Sequence, residues 1–229
     1  SSALSTCSGK PMRDEDIHAA LAALRQAAPG WDTPLVDAMA ARGTTPFRVL
    51  AATILSLRTQ DRTTAQVTPR LFALADTPQA MLALTAEQIE AAIYPVGFYR
   101  NKARTLLDLS RILVEEHGGV VPDDLDTLLL LPGVGRKTAN LVLTAGYGKP
   151  GICVDTHVHR ITNRWGYVQT KTPEQTEMAL REKLPPQYWI EINTLLVALG
   201  QNICHPTSPR CSVCPVRPWC DHVGVTRSR

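Results

Sequence analysis

Apolar residues in this chain recur at intervals of three and four and hardly ever at intervals of two. Ile17, Ala20, Leu21, Leu24 and Ala28 set the pattern, with Asp14, Glu15 and Asp16 ahead of it and Pro29-Gly30 behind. That spacing gathers side chains on one face only in a helix, and the acidic start and Pro-Gly stop suit its two ends. Phe47, Val49, Leu50, Ala51, Ile54, Leu55 and Leu57 are apolar almost all round. They predict a central buried helix beginning near Pro46. Further helical patterns cover 61–74, 78–83, 86–93, 102–116, 123–130, 134–147, 156–165, 173–183 and 187–200. The gaps are short and marked by Gly or Pro. The expected class is all-α, with Pro69 early in the 61–74 helix or breaking it.

A chain of 229 residues can bury the core of one large domain or two small ones. Its formal charge of +3 permits a polyanionic partner without demanding one. No apolar run reaches membrane-spanning length, and "SSALSTCSGKPM" lacks the apolar block of a secretory signal. These features lead us to expect no membrane association, a reducing cytoplasmic compartment and no disulfides. Residues 1–12 are expected to be disordered.

The stretch "LPGVGRKTANLVL" (131–143) joins two helical patterns through two glycines. Glycine takes positive φ and lets other backbone approach closely. The amides of Gly133, Val134 and Gly135 are then expected to point outward beside a helix N-terminus, where unpaired N–H groups and the helix dipole favour an anion such as a nucleic-acid phosphate. A helix–helix corner with glycines for packing explains the turn equally well. Arg136 and Lys137 follow. On a helix Lys137, Asn140 and Thr144 share a polar stripe opposite Val134, Thr138, Leu141, Val142 and Ala145. A cation in the first turn opposes the dipole, which favours the neutral amine that a nucleophile must be. A solvated surface lysine is the plain alternative. Further on, in "VDTHVHRITNRW" (154–165), Asp155 has the type and place of an N-cap.

Cys204, Cys211, Cys214 and Cys220 fall within 17 residues. Four thiolates in one loop suit zinc or an iron–sulfur cluster, and spacing alone does not choose. Arg210, Arg217, Arg227 and Arg229 against Asp221 give residues 201–229 a charge of +3. Arg210 is the expected phosphate contact there. The last nine residues, "DHVGVTRSR", read as a mobile tail.

"LPGVGRKTAN" followed by "VDTHVHR" resembles the helix-hairpin-helix DNA glycosylases, and among them the endonuclease III family. The likeness extends through "PFRVLAATILSLRTQD" (46–61), "VGFYRNKA" (96–103) and the cysteines, from about residue 14 to Cys220. The resemblance implies a bifunctional glycosylase and AP lyase that removes oxidised pyrimidines of the thymine glycol type from damaged duplex DNA. By motif position Lys137 becomes the nucleophile and Asp155 the catalytic carboxylate. Lys137 would attack C1′, form a Schiff base and nick the strand by β-elimination. Arg58 and Phe98 would fill the hole left by the everted nucleotide, where the family more often has Gln and Leu. The cysteine spacing matches the family's [4Fe–4S] loop.

The resemblance also implies two helical lobes flanking a DNA-binding groove. One is a six-helix bundle over 34–149, ending in the hairpin at about 123–147. The other joins 1–33 to 150–229 and carries the cluster loop 204–220, with Lys137 and Asp155 at the mouth of the groove. A monomer suffices for one groove. Two alternatives stand beside this reading. A non-catalytic DNA-binding module would use Lys137 for charge alone. A monofunctional mismatch glycosylase of the same superfamily is disfavoured by the lysine.

Overall fold

The structure, a computed structural model, describes residues 9–229. Residues 1–8 of the stretch expected to be disordered lie outside it. The rest of that stretch does not fit the expectation: Met12 is buried and its amide donates to the Trp165 carbonyl. Among the described residues there are helices and no β-strand, so the all-α class holds. No helix is long and apolar enough to cross a membrane.

The chain divides into two compact units, Pro34–Gly151 and Ser1–Thr33 with Ile152–Arg229, each with its own apolar core. In order, the helices are α1 (Asp16–Ala27), α2 (Leu35–Ala41), α3 (Pro46–Ser56), α4 (Asp61–Leu74), α5 (Pro78–Leu82), α6 (Ala86–Ile93), α7 (Tyr99–His117), α8 (Leu125–Leu129), α9 (Arg136–Leu141), α10 (Thr156–Arg164), α11 (Pro173–Lys183) and α12 (Glu191–Asn202). The chain continues from α9 through a π-helical turn, Val142–Gly146.

α3 is the axis of the Pro34–Gly151 unit. Proline opens it, and the Thr45 hydroxyl accepts from the Arg48 amide to cap it. Val49, Leu50, Ala51 and Leu55 are wholly buried. Around α3 pack α2, α4, α7, α9 and the π turn. α7 lies against α5 and α6 and sends Leu106, Leu109 and Leu113 into the core. Pro69 sits deep inside α4 without breaking it. Its ring forfeits one backbone bond, but Val67 and Leu71 on either side are fully buried and hold the helix in place.

In the other unit α12 packs on α1 and α10, and α10 on α11. Its core is built on Leu21, Leu24, Ile161, Trp165, Leu196 and Leu199. The final residues are fastened rather than mobile. The Val223 amide donates to the Arg164 carbonyl, the Arg229 amide to Pro209 and the Ser212 amide to Arg229. The tail thus closes back on the cysteine loop.

Candidate active site and DNA interface

α8 starts at Asp124, whose carboxylate accepts from the Thr127 amide at 2.8 Å. The glycine turn follows and α9 begins at Arg136. The two glycines are there for different reasons. Gly133 has φ 74°, and a Cβ on it would lie 2.6 Å from the Thr105 methyl of α7. Packing and backbone conformation both demand glycine there. Gly135 has an ordinary extended φ, and a Cβ on it would meet nothing within 4 Å. This chain leaves that space open.

The expectation that three consecutive amides face outward needs correction. The Val134 amide donates to the Leu131 carbonyl at 3.2 Å and its side chain is buried. It closes the turn and cannot serve an anion. Among the described residues the Gly133 and Gly135 amides have no backbone acceptor. Lys137 is exposed in the first turn of α9, and Arg136 is half-buried. The supposed polar stripe is not a solvent face: Asn140 and Thr144 are buried. Asn140 donates from Nδ2 to the Arg136 carbonyl, and its Oδ1 lies close to Gly151.

Asp155 caps α10, its Oδ1 accepting from the Val158 amide at 2.9 Å. Among the described residues its second oxygen has no hydrogen-bond donor, and Arg160 lies within electrostatic reach of the carboxylate. Asp155 belongs to the unit Ser1–Thr33 with Ile152–Arg229 and Lys137 to Pro34–Gly151.

Arg58 and Phe98 come together in one place. Both are non-glycine residues in the left-handed region, at φ 53° and 56°. Each such residue costs on the order of 1–3 kcal/mol unless its surroundings enforce it. Both side chains are exposed, Phe98 by 57%, and the Arg58 guanidinium lies over the Phe98 ring at 5.5 Å.

Sequence reasoning assigned no role to Lys102, which lies just beneath these turns. It is only 7% exposed. Its Nζ donates to the Leu55 carbonyl at 2.8 Å, to the Leu57 carbonyl and to Thr59 Oγ1 at 3.1 Å. Burial pulls its pKa down to about 8. The signal was present in the sequence: Lys102, Leu106, Leu109 and Leu113 are in register on one helix face, so the lysine occupies a core position.

Arg164 was missed in the same way. It lies three residues after Ile161 on the buried side of α10 and is 9% exposed. Its guanidinium donates to Cys204 Sγ at 3.2 Å, to the His205 carbonyl at 2.7 Å and to the Pro206 carbonyl at 2.7 Å. One fork thus holds the start of the cysteine loop. Cys204, Cys211, Cys214 and Cys220 line a single pocket with Arg164, Arg210 and Arg217. Arg210 is exposed. Burial pushes the thiols of Cys214 and Cys220 up to about 12. Four thiols lining one pocket are a donor set that fits a bound metal centre, zinc or an iron–sulfur cluster.

Residues 51–186 match the family model of the HhH-GPD superfamily base excision DNA repair proteins. Within that class the chain is 49% identical to an endonuclease III of Thermotoga maritima over 178 residues, 78% of this chain and 84% of the relative. It is 38% identical to endonuclease III of Escherichia coli K12, over 77% of this chain and 84% of that protein. Among solved structures, a trapped endonuclease III–DNA covalent intermediate superposes with TM-score 0.81 at 34% identity, covering 91% of this chain and 96% of that one. The chain belongs to the endonuclease III family.

Proposed function

We propose that the protein removes oxidised pyrimidines of the thymine glycol type from duplex DNA and cuts the strand through a Schiff base on Lys137. Membership of the endonuclease III family makes it a base-excision-repair DNA glycosylase with AP lyase activity. The observation that carries the finer reading is Lys137 itself: an exposed amine in the first turn of a helix, directly after a glycine turn that keeps two amides and an open space for a phosphate.

In this mechanism the Gly133 and Gly135 amides and Arg136 hold the backbone beside the lesion. The Lys137 amine attacks C1′ as the damaged base departs, and the ring-opened sugar becomes an iminium. Loss of the C2′ proton then expels the 3′ phosphate by β-elimination. Asp155, fixed in direction by its bond to the Val158 amide, offers its second oxygen to accept the lysine proton or to stabilise positive charge on the sugar. Eversion costs roughly a few kcal/mol of unstacking, and Arg58 with Phe98 fills the gap. Arg210 contacts phosphate.

We also infer a [4Fe–4S] cluster held by Cys204, Cys211, Cys214 and Cys220. Support comes from the four thiols lining one pocket with three arginines beside it, and from the family's cysteine spacing. Bound there, the cluster would tie the loop and the chain end together. A monomer in the cytoplasm completes the reading.

The test is a glycosylase and nicking assay on a thymine glycol duplex. Asp155→Asn keeps an N-capping side chain but not its charge. Base release should fall by about 100-fold or more, as for loss of a charge-stabilising group, while the melting temperature changes little. Lys137→Ala should abolish nicking. Nicking at the wild-type rate by Lys137→Ala would refute the mechanism.

A further inference from the structure

Lys102, in the "VGFYRNKA" segment that supplies Phe98, has no role in the chemistry above, and its surroundings are unusual. An ammonium is seldom buried without a carboxylate. Here burial is the sole cause of its shifted proton affinity, with no ion pair contributing. Its three hydrogens meet three acceptors: the carbonyls of Leu55 and Leu57 and the hydroxyl of Thr59. The carbonyls belong to the end of α3, where backbone oxygens lack helical partners and the dipole favours a cation.

The network extends to the second turn. Thr59 Oγ1, besides accepting from Lys102, accepts from the Gly97 amide at 2.9 Å. Gly97 is itself pressed onto the first turn: a Cβ there would stand 2.8 Å from the Arg58 carbonyl oxygen and 3.2 Å from Thr59 Oγ1. The bonded residues therefore bracket the strained ones. Leu57 and Thr59 flank Arg58, and Gly97 precedes Phe98.

We infer that Lys102 is a positioning residue: from the helix that begins at the 97–98 turn, its ammonium holds the 57–59 turn through the Leu57 carbonyl and the Thr59 hydroxyl, and so presents Arg58 and Phe98 as one unit to the gap in the DNA stack. This rests on the reading that Arg58 and Phe98 fill that gap. Two left-handed residues relax unless something over-determines them, and here the Thr59 hydroxyl, held by Lys102, accepts from the Gly97 amide and so couples the two turns.

The experiment uses the full-length, metal-loaded protein and a duplex carrying a reduced abasic site opposite 2-aminopurine, whose fluorescence rises when it is unstacked. Lys102→Met, Lys102→Arg, Thr59→Val, Arg58→Ala and Phe98→Ala are compared with wild type for that rise, for affinity to the same duplex and for single-turnover nicking of an unreduced abasic duplex. Lys102→Met should bind within a few-fold of wild type, lose most of the fluorescence rise and nick roughly 10- to 100-fold more slowly, as expected for misplacement without loss of chemistry. Lys102→Arg, which keeps several donors, should recover part of both signals. Thr59→Val, which keeps the shape and removes the hub, should behave like Lys102→Met and decides the matter if that variant fails to fold. A full rise and rate in both Lys102→Met and Thr59→Val, with the rise lost in Arg58→Ala and Phe98→Ala, overturns the role of Lys102 alone. A full rise in Arg58→Ala and Phe98→Ala overturns the gap-filling reading, and the role of Lys102 with it.

Discussion

Each unit buries one cation on the core side of a helix and uses it to hold a loop, but the two cations differ. Lys102 on α7 satisfies three acceptors from one compact ammonium and carries a pKa near 8. Arg164 on α10 spreads a planar fork over a thiol and two carbonyls of the cysteine loop. A guanidinium keeps its charge at any pH a protein survives, whereas a buried ammonium can shed its proton. The cysteine loop is tied by the permanent charge. The pair of turns proposed to enter DNA is tied by the more yielding one.

Arg164→Met should show the largest effect. It removes the guanidinium's bonds to Cys204 Sγ and to the His205 and Pro206 carbonyls and loosens the cysteine loop, so the metal-loaded protein should lose about 3 kcal/mol of unfolding free energy in urea. Its visible absorbance should bleach faster in air. Lys102→Met removes an expensive buried charge along with its bonds, and its stability should stay within about 1.5 kcal/mol of wild type. Equal losses in the two variants would break the comparison.

The glycine hairpin is the loop that neither cation reaches, and it sharpens the contrast. Gly133→Ala forces a methyl against Thr105 at positive φ and should cost about 2 kcal/mol in thermal unfolding. The proton affinity of Lys102 gives a smaller, pH-dependent effect. Its folded pKa of about 8 lies below the ordinary 10.5. Between those values the unfolded chain binds more protons, so this group makes stability rise with pH, with a slope under about 1.4 kcal/mol per pH unit. The stability difference between wild type and Lys102→Met, followed from pH 8 upward, should therefore move in favour of wild type. Gly135→Ala should be mildest for the fold, within about 1 kcal/mol because nothing occupies the space around it. Its effect should appear instead as weakened DNA binding in a titration.

Much of the fold was legible because helical spacing is a direct record of burial. The pattern at 61–74 corresponds to α4, and the all-round apolar run after Pro46 to α3. The exceptions have physical causes. Pro69 reads as lying early in the 61–74 helix or breaking it, because local sequence does not show Val67 and Leu71 anchored on both sides. Lys102 and Arg164 stood in register with apolar stripes, yet charged residues are read as surface by habit, and their acceptors are carbonyls, which leave no trace in a sequence. The tail's attachment to the cysteine loop likewise runs through backbone bonds. In the site, Lys137 and Asp155 stood out as candidates through their motif positions, and the cysteines through their clustering. That the Val134 amide turns inward is a matter of one dihedral angle and could not be read there.

The most direct test of the central claim, that Lys137 is the nucleophile, is borohydride trapping. The metal-loaded protein is mixed with a duplex carrying one thymine glycol, the reductant is added, and covalent protein–DNA product is resolved on a denaturing gel beside Lys137→Ala and an abasic duplex. The account predicts a trapped band with both substrates that disappears in Lys137→Ala while DNA binding persists. A band of undiminished strength in Lys137→Ala, or none from wild type on either duplex, would contradict it.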